Sequence, residues 1–428
     1  MTTSPVWHPF TQHGLGEDIP LISRGKGAVL HGADGRQWID AISSWWVTTH
    51  GHAHPRIMAA IAAQSQRLDQ IIFAGWTHEP AETLARGLVA MTPEPLTHVF
   101  FSDSGSTAVE VALKMALGYW HNREKGGRGE QRHKIIVMEH SYHGDTIGAM
   151  SVGARGVFNR PYAPLLFDVA SVPFPAAGAE QATLDALEAA CRDNAAAFIV
   201  EPLVLGAGGM LMYSPATLAQ MAAICAVHNV LFIADEVMTG WGRTGSLLAC
   251  DQAGVVPDIL CLSKGLTGGS VPLAVTLARE KIFAAHWSQD RADCFFHSSS
   301  YTANPIACAA ANANLAIWAD EPVQARIDAL AALQKQQLHG ISSHPLVAST
   351  RQCGTIAAFD IAETASGYLS SWAVHITAYG RANGVLIRPL GNTVYVMPPY
   401  CITPAELAKV YGVVRDSLDS GSKPVIGH

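Results

Sequence analysis

Short apolar runs alternate with helix-like segments through the middle of the chain, between about residue 98 and residue 280. Each run is about five residues long, carries β-branched or aromatic side chains, and is apolar on both faces, which is typical of parallel strands covered by helices on both sides. The runs lie at residues 98–102, 134–138, 196–200, 230–234, 258–262 and 273–277. Between them, segments 107–119, 181–191 and 216–228 carry Ala, Leu and Met at helical spacing. The pattern predicts an α/β fold with a large, doubly wound, mostly parallel sheet and right-handed crossovers.

The two ends of the chain follow a different pattern. Residues 25–42 predict a hairpin with Asp34-Gly35 at its turn. The last part mixes helix-like and strand-like stretches, at 320–340, 370–384, 355–360 and 393–397. We therefore expect a smaller α+β domain built from both ends, with residues 1–50 and 316–428 in that domain and residues 51–315 in the large one.

Composition excludes several classes of protein. Hydrophobic residues make up 49% and charged residues 15% of the 428 residues, which predicts a globular protein with a large core. A net charge of −7 without a basic cluster argues against a nucleic-acid partner or an anionic membrane surface. No apolar run approaches the roughly 18–20 residues of a membrane helix, and the N-terminus lacks a signal-peptide pattern. The eight cysteines form no CxxC, so we expect a reduced, cytoplasmic compartment and neither a zinc site nor disulfides.

Polar residues that could bind a ligand or take part in catalysis follow the predicted strands, where ligands of open α/β sheets bind. Gly105 and Ser106 follow the first run and open a helix, an arrangement that suits a phosphate, although an ordinary helix cap has the same pattern. Tyr142 follows the second run and could stack on a flat ring. The adjacent His143 and Asp145 could tune that ring through hydrogen bonds.

The next three runs end in charged residues. Glu201 follows the third run, Asp235 the fourth and Lys264 the fifth. A pyridoxal-phosphate (PLP) enzyme needs an amine for a Schiff base and a carboxylate for the pyridinium nitrogen. Each residue alone is as readily explained as a solvated loop charge, but their joint occurrence on one sheet edge predicts a PLP site.

Other sites fit the sequence less well. The histidines in His50-Gly-His-Ala-His54 lack helical spacing and cysteine partners, so we expect capping and packing rather than a metal site. The sequence contains no GxSxG or Walker loop, and no GxGxxG follows a strand, which argues against a dinucleotide-dependent dehydrogenase.

The segment DEVMTGWGRTG at residues 235–245, followed by Ser263-Lys264-Gly265, resembles the signature of class III, fold type I PLP-dependent aminotransferases. The resemblance extends over nearly the whole chain. It implies that Lys264 forms the Schiff base and moves the proton, and that Asp235 pairs with the pyridine nitrogen. It also implies a cofactor site with Tyr142 on one ring face, Val237 on the other, His143 beside the ring, and Gly105 and Ser106 at the phosphate.

Segments WHPFT (7–11), SSWW (43–46), DSGSTAVE (103–110) and YVMPPY (395–400) resemble more narrowly the biotin-pathway branch of this family. That resemblance implies amino transfer to 8-amino-7-oxononanoate, giving 7,8-diaminononanoate, with S-adenosylmethionine as donor. It implies a homodimer with active sites at the subunit interface, in which Ser299 and Ser300 reach the partner's phosphate site. The substrate-binding residues implied in this way are Phe10, Trp45, Trp46, Ser298, Arg388 and Tyr395, with Arg388 as a bidentate carboxylate clamp.

Two departures from the family pattern affect the donor. Phe10 stands where the family usually has tyrosine, and residues 297–300 read HSSS where the family has HGPT. Lysine or another ω-amine therefore remains an alternative donor, and a class III transaminase of ω-amino acids remains an alternative enzyme. A PLP-binding regulator without turnover is a third possibility, but it would need the loss of Lys264 or Asp235, and both are present.

Overall fold

The protein is described by a computed structural model that covers residues 4–124, 132–362 and 370–421. The described strands, in chain order, are β1 (Ile22–Lys26), β2 (Val29–Gly32), β3 (Gln37–Asp40), β4 (Leu96–Ser102), β5 (Lys134–Met138), β6 (Ala170–Val172), β7 (Ala195–Val200), β8 (Val204–Leu205), β9 (Leu211–Met212), β10 (Leu231–Asp235), β11 (Ile259–Leu262), β12 (Ala274–Arg279), β13 (Val347–Cys353), β14 (Ile356–Ile361), β15 (Val385–Leu386) and β16 (Thr393–Val396).

The described helices are α1 (Ser43–Trp46), α2 (Pro55–Ser65), α3 (Glu79–Met91), α4 (Gly105–Glu124), α5 (Ile147–Ser151), α6 (Glu180–Cys191), α7 (Pro215–Val227), α8 (Glu280–Ala285), α9 (Pro305–Asp320), α10 (Val323–Ile341), α11 (Ser371–Ala382) and α12 (Pro404–Ser420). Local sequence explains several of their starts. Proline occupies the first turn of α2, α3, α7, α9 and α12, where its missing N–H costs nothing. None of these helices is long and apolar enough to span a membrane.

Seven strands form the large sheet, in the order β4-β12-β11-β10-β7-β5-β6. The pairs β11–β10, β10–β7, β7–β5 and β5–β6 are parallel, which confirms the predicted mostly parallel sheet. All six predicted runs are strands of this sheet. One was expected to be parallel like the rest, but β12 runs antiparallel to both of its neighbours. The sequence also missed β6, because three residues are too few to show a periodic pattern.

Successive residues of the central strands contribute to two different hydrophobic clusters. Ile233 and Ile259 pack in the cluster that contains Val109 of α4, whereas Phe232 and Leu260 pack in the other cluster. Since successive side chains of a strand point to opposite faces, both faces of the sheet are covered. This double coverage explains why the predicted strands are apolar throughout rather than alternating.

Both chain ends contribute to one small sheet. The predicted hairpin is present, because β2 and β3 pair antiparallel with Leu30 opposite Trp38, and β15 then pairs parallel to β3. A second sheet holds β13, β14 and β16. The division of the chain after residues 50 and 315 stays a prediction, and residues 1–3, 363–369 and 422–428 of the proposed smaller domain lie outside the described part.

Candidate active site

The parallel strands of the large sheet bring the predicted charged residues to one edge. Asp235 is the last residue of β10 and is paired with Cys261 of β11, so Lys264, which follows β11, emerges beside it. Ala234 of β10 is paired with Val200 of β7, which places Glu201 next to the same point. The structure therefore brings Asp235, Lys264 and Glu201 together, as the pattern predicts for carboxyl ends of neighbouring strands.

Asp235 is held in place by two hydrogen bonds. Its Oδ2 accepts from Nδ1 of His143 at 2.6 Å and its Oδ1 accepts from the backbone N–H of Val237 at 3.1 Å. The carboxylate can only accept, so Nδ1 of His143 carries a proton. Nε2 of His143 is buried without a hydrogen-bond partner among the described residues. The pair presents a fixed carboxylate that is only 5% exposed.

Lys264 lies in an environment that disfavours its charge. Its backbone has a positive φ of 45°, and its Nζ lies 4.7 Å from the centre of the Trp46 ring. Desolvation lowers the pKa of Lys264 to about 8, although the carboxylates of Asp235 and Glu201 act in the opposite direction. An amine with this pKa is unprotonated in roughly one-tenth of the molecules at pH 7, a far larger fraction than for an ordinary lysine, and this free amine is what a nucleophile or general base requires.

This pKa predicts how the cofactor-free protein reacts with PLP. Only the unprotonated amine attacks an aldehyde, so the rate of covalent attachment should rise with pH and level off above a midpoint near 8. An unperturbed lysine would place that midpoint near 10.4. Stopped-flow absorbance after mixing cofactor-free protein with PLP at a series of pH values measures the midpoint. A midpoint above 10 would contradict the desolvated environment.

The start of α4 provides close-packed backbone around Gly105 and Ser106. A Cβ atom at Gly105 would lie 2.6 Å from Cγ1 of Val237, and one at Gly144, where φ is 128°, would lie 2.0 Å from Oγ of Ser106. Ser106 Oγ accepts from the backbone N–H of Asp145 at 3.2 Å. Glycine is therefore required at both positions, and the first-turn N–H groups of α4 adjoin Val237, as a phosphate cradle next to the ring would need.

Tyr142 belongs to the same loop and is anchored by Glu201. Its backbone N–H donates to Oε1 of Glu201 at 3.0 Å, while Oε2 accepts from Gly206 N at 2.9 Å. Burial raises the pKa of Glu201 to about 7 and, together with the carboxylate of Asp145, raises the pKa of the Tyr142 phenol. Tyr142 thus stays a neutral aromatic ring at physiological pH, which suits stacking.

Among the predicted substrate residues from the chain ends, Trp46 lies beside Lys264. The indole Nε1 of Trp46 donates to the hydroxyl of Tyr395 at 2.9 Å, and Tyr395 itself is buried. Cζ of Arg388 lies 5.5 Å from the centre of the Trp45 ring. Phe10 packs edge-on against Trp45 at 5.3 Å, and its carbonyl accepts from Nη2 of Arg388 at 3.1 Å. Tyr395 is therefore connected to the site by its hydrogen bond with Trp46 and exposes almost no surface of its own.

The structure does not bring residues 298–300 to the site of their own chain. Ser298 Oγ donates to the carbonyl of Ser299 at 3.1 Å, and the carbonyl of Ser300 accepts from Gln70 at 2.6 Å. Ser299 Oγ is buried with no hydrogen-bond partner in the described part of the chain. Among the described residues, no hydrogen bond joins residues 298–300 to Lys264. Their predicted role toward a partner subunit stays a prediction.

Arg243 is a site residue that the sequence analysis did not single out. It is fully buried and donates to the carbonyls of Trp46 at 3.4 Å, Thr48 at 2.9 Å and Pro398 at 3.1 Å. It therefore fixes the backbone that carries the Trp46 ring. The available signal was its position inside the segment at 235–245, where it is the only basic side chain.

Two of the three histidines near residue 50 have different hydrogen-bond partners, and the third packs against His50. Nε2 of His50 lies 2.8 Å from Oδ1 of Asn314, and Nε2 of His52 lies 2.8 Å from Oδ2 of Asp40. His54 occupies the N-cap position of α2 but makes no side-chain capping bond, so the expected capping is wrong and the expected packing is confirmed. Asn314 also donates to the carbonyls of Gly265 and Leu266, each at 3.0 Å, which supports the turn that begins with Lys264.

These features match the needs of PLP. The site offers an amine with a lowered pKa, a fixed carboxylate and a glycine-opened helix start, and an unpaired buried nitrogen of His143 lies beside them. The donor set contains neither the thiolates nor the clustered imidazoles of a zinc site. The residues present therefore fit PLP.

The comparisons with known proteins agree with this geometry. Residues 13–418 match the family model for class III aminotransferases. The chain is 48% identical to the adenosylmethionine-8-amino-7-oxononanoate aminotransferase of Synechococcus elongatus, covering 97% of this chain and 98% of that protein. It is 36% identical to the enzyme of the same name from Geobacter sulfurreducens, covering 94% of this chain and 93% of that protein.

Solved structures give the same result. The adenosylmethionine-8-amino-7-oxononanoate aminotransferase of Methanocaldococcus jannaschii superposes with a TM-score of 0.91 at 32% identity, over 96% of this chain and 97% of the other. A PLP-bound amine transaminase from an uncultivated Pseudomonas species superposes with a TM-score of 0.90 at 30% identity, over 98% of this chain and 99% of the other. This chain therefore belongs to the class III aminotransferases, and its cofactor is PLP.

Proposed function

We propose that this aminotransferase moves an amino group from S-adenosylmethionine to the ketone of 8-amino-7-oxononanoate, forming 7,8-diaminononanoate for biotin synthesis. The names of the similar enzymes support these substrates. One structural observation carries the proposal. Two consecutive tryptophans each contact one charged group of the site, because the Trp46 ring lies 4.7 Å from Nζ of Lys264 and the Trp45 ring lies 5.5 Å from Cζ of Arg388.

This arrangement matches the chemistry of the proposed acceptor. 8-Amino-7-oxononanoate has its reacting carbonyl at C7, near one end of the aliphatic chain, and its carboxylate at the other end. A planar guanidinium at Arg388 binds a carboxylate through two parallel hydrogen bonds. The indole rings of Trp45 and Trp46 would bury the methylene groups between the two ends, each worth about 0.8 kcal/mol.

The residues of the chain account for the proton transfers. When bound, PLP supplies an electron sink for the carbon that loses its proton. Nζ of Lys264 takes the proton from the donor Cα and later delivers a proton to the acceptor carbon, and its lowered pKa suits both directions. Asp235 keeps a proton on the pyridine nitrogen through its opposite charge, and His143 holds Asp235 in position. Tyr142 and Val237 would border the cofactor ring, one on each face.

An alternative donor is supported by Phe10. Its ring lies against Trp45 and Phe158, at 5.3 Å and 6.0 Å, and it has no hydroxyl to donate toward the amine being moved. The missing hydrogen bond favours a donor held by other contacts, such as lysine or another ω-amine. Similarity to an amine transaminase of known structure is consistent with this alternative.

Separate half-reactions test the proposal. The PLP-loaded enzyme is mixed with S-adenosylmethionine, lysine or β-alanine, and the loss of its visible absorbance is followed. The aminated enzyme is then mixed with 8-amino-7-oxononanoate, and the product is identified by mass. Bleaching by S-adenosylmethionine followed by 7,8-diaminononanoate formation is the expected result. Bleaching by lysine alone selects the alternative donor, and a response to β-alanine without the diamine product contradicts the proposed acceptor.

We also propose that the enzyme is a homodimer with active sites at the subunit interface and that it works in the cytoplasm. Phe296 and Tyr301, which stand on either side of residues 298–300 in the chain, are large and exposed. These features suit a surface covered by a second subunit whose phosphate site Ser299 and Ser300 complete. The eight cysteines, all free, suit a reducing compartment. Light scattering at working concentration should give twice the 45.5 kDa mass of the chain, and a mass equal to one chain would contradict the dimer.

A further inference from the structure

The four-residue segment α1, which carries the two tryptophans, is an irregular turn with a strained backbone. Ser43, Ser44 and Trp46 have φ values of 52°, 63° and 66°, and Ser44 has a ψ of −80°. Residues with a Cβ atom rarely adopt this region, and none of the four residues of the turn is glycine. Such conformations persist only where the surrounding structure over-determines them, and they cluster at functional sites.

Hydrogen bonds to a buried carboxylate hold this turn in its strained conformation. Oδ1 of Asp40 accepts from the backbone N–H of Ser44 at 2.8 Å and of Ile42 at 3.2 Å. Oδ2 of Asp40 accepts from Oγ of Ser44 at 3.1 Å and lies 2.8 Å from Nε2 of His52. Asp40 is fully buried, and Oγ of Ser43 additionally donates to the carbonyl of Met397 at 2.8 Å. We refer to Asp40, Ser44 and His52 as the Asp40 clamp.

The clamped conformation decides where the two rings point. Backbone dihedrals fix the direction of each Cα–Cβ bond, so relaxation of φ at Ser44 or Trp46 would redirect both indoles. In the observed conformation the rings of Trp45 and Trp46 reach different partners, Arg388 at 5.5 Å and Lys264 at 4.7 Å. The turn thereby fixes where each ring lies relative to its charged partner.

We propose that the Asp40 clamp makes the enzyme selective for the chain length of its acceptor. It does so by holding the strained turn in the conformation that places the Trp46 ring against Lys264 and the Trp45 ring against Arg388. Acceptors with one particular number of methylene groups between carbonyl and carboxylate then react best. The inference rests on the proposed function in one respect only, the identity of the carboxylated ketone that is the natural acceptor. The clamp residues act through Trp45 and Trp46, so they are positioning residues.

Two substitutions at Ser44 separate the strain from the hydrogen bond. Ser44→Gly removes the hydroxyl and allows the backbone to relax, whereas Ser44→Ala removes the hydroxyl and keeps the restraint of a Cβ atom. Asn229→Gly is a matched control, since Asn229 also has a positive φ, of 52°, but lies at an exposed turn after α7. His52→Gln keeps a donor toward Asp40, and His52→Leu removes it.

The experiment measures kcat/KM for an acceptor series with one methylene fewer and one more than the best substrate, together with the donor half-reaction and the Tm. One methylene is worth about 10- to 200-fold in a fitted apolar site. In Ser44→Gly we expect this discrimination to fall below about threefold, while the donor half-reaction stays within about twofold and the Tm is unchanged or higher. Ser44→Ala and His52→Leu should lose part of the discrimination, and His52→Gln should restore it.

Two outcomes would overturn the inference. The first is that Ser44→Gly keeps the wild-type discrimination. The second is that it loses the donor and acceptor half-reactions in equal proportion with a lower Tm, as a purely structural role predicts. Asn229→Gly should leave discrimination unchanged. If the wild-type enzyme does not use 8-amino-7-oxononanoate, the proposed function fails, and the length series is run on the ω-carboxylated ketones that it does use.

Discussion

Replacing Lys264 by alanine removes at least about 10⁴-fold of the transamination rate. General-base catalysis alone contributes roughly 10²–10⁴-fold, and the covalent attachment of the cofactor is lost as well. Lys264 is the lysine next to Asp235 in the site, and desolvation keeps the pKa of its amine at about 8. Steady-state turnover and the visible absorbance of the lysine-bound cofactor measure the two losses separately, and both should disappear.

A matched variant and an added amine make this result specific. Lys281→Ala removes a lysine of α8 that pairs with Asp258 at 2.6 Å, away from the site, and should keep normal turnover. A small primary amine in solution should restore part of the Lys264→Ala rate, because it can move the proton that Nζ no longer moves. Turnover of Lys264→Ala within tenfold of the wild type, without added amine, would disprove the assigned role.

The sheet was predictable because helices cover both of its faces. Each central strand therefore reads as an apolar run, and all six runs were found. Such a run does not show whether the strand is parallel or antiparallel to its neighbours, since residues such as Val275 and Leu277 would be buried in either direction. The antiparallel β12 and the three-residue β6 were consequently beyond the pattern.

Prediction of the site succeeded where the chemistry follows a strand end. Asp235, Lys264 and Tyr142 are placed by the ends of strands, and the rule that parallel strands end at one edge brings them together. The Asp40 clamp could not be predicted in this way, because positive φ values at Ser43 and Ser44 have no sequence signature. The same turn is also held by a hydrogen bond between positions far apart in the chain, since Ser43 and Met397 are 354 residues apart.

Replacing Asp235 by asparagine should slow proton removal by about 10²- to 10³-fold while PLP stays bound. An opposite charge close to a protonated nitrogen is worth roughly one to three pKa units, each a factor of ten in the protonated fraction. The neutral amide keeps the shape of the side chain and can still accept from Val237, so folding should change little. Single-turnover absorbance with a donor labelled by deuterium at Cα isolates the proton-transfer step.

The pH dependence distinguishes this electrostatic role from a packing role. With asparagine at position 235, the ring nitrogen is protonated only at lower pH, so the rate deficit relative to the wild type should shrink as the pH falls. A cavity or packing defect would lower the rate equally at all pH values. Asp251→Asn is the matched control, because Asp251 accepts from the backbone N–H of Leu248 at 3.1 Å and lies outside the site. A rate for Asp235→Asn within twofold of the wild type would show that another group keeps the ring nitrogen protonated, and His143, whose Nδ1 lies 2.6 Å from Asp235, would be the first candidate.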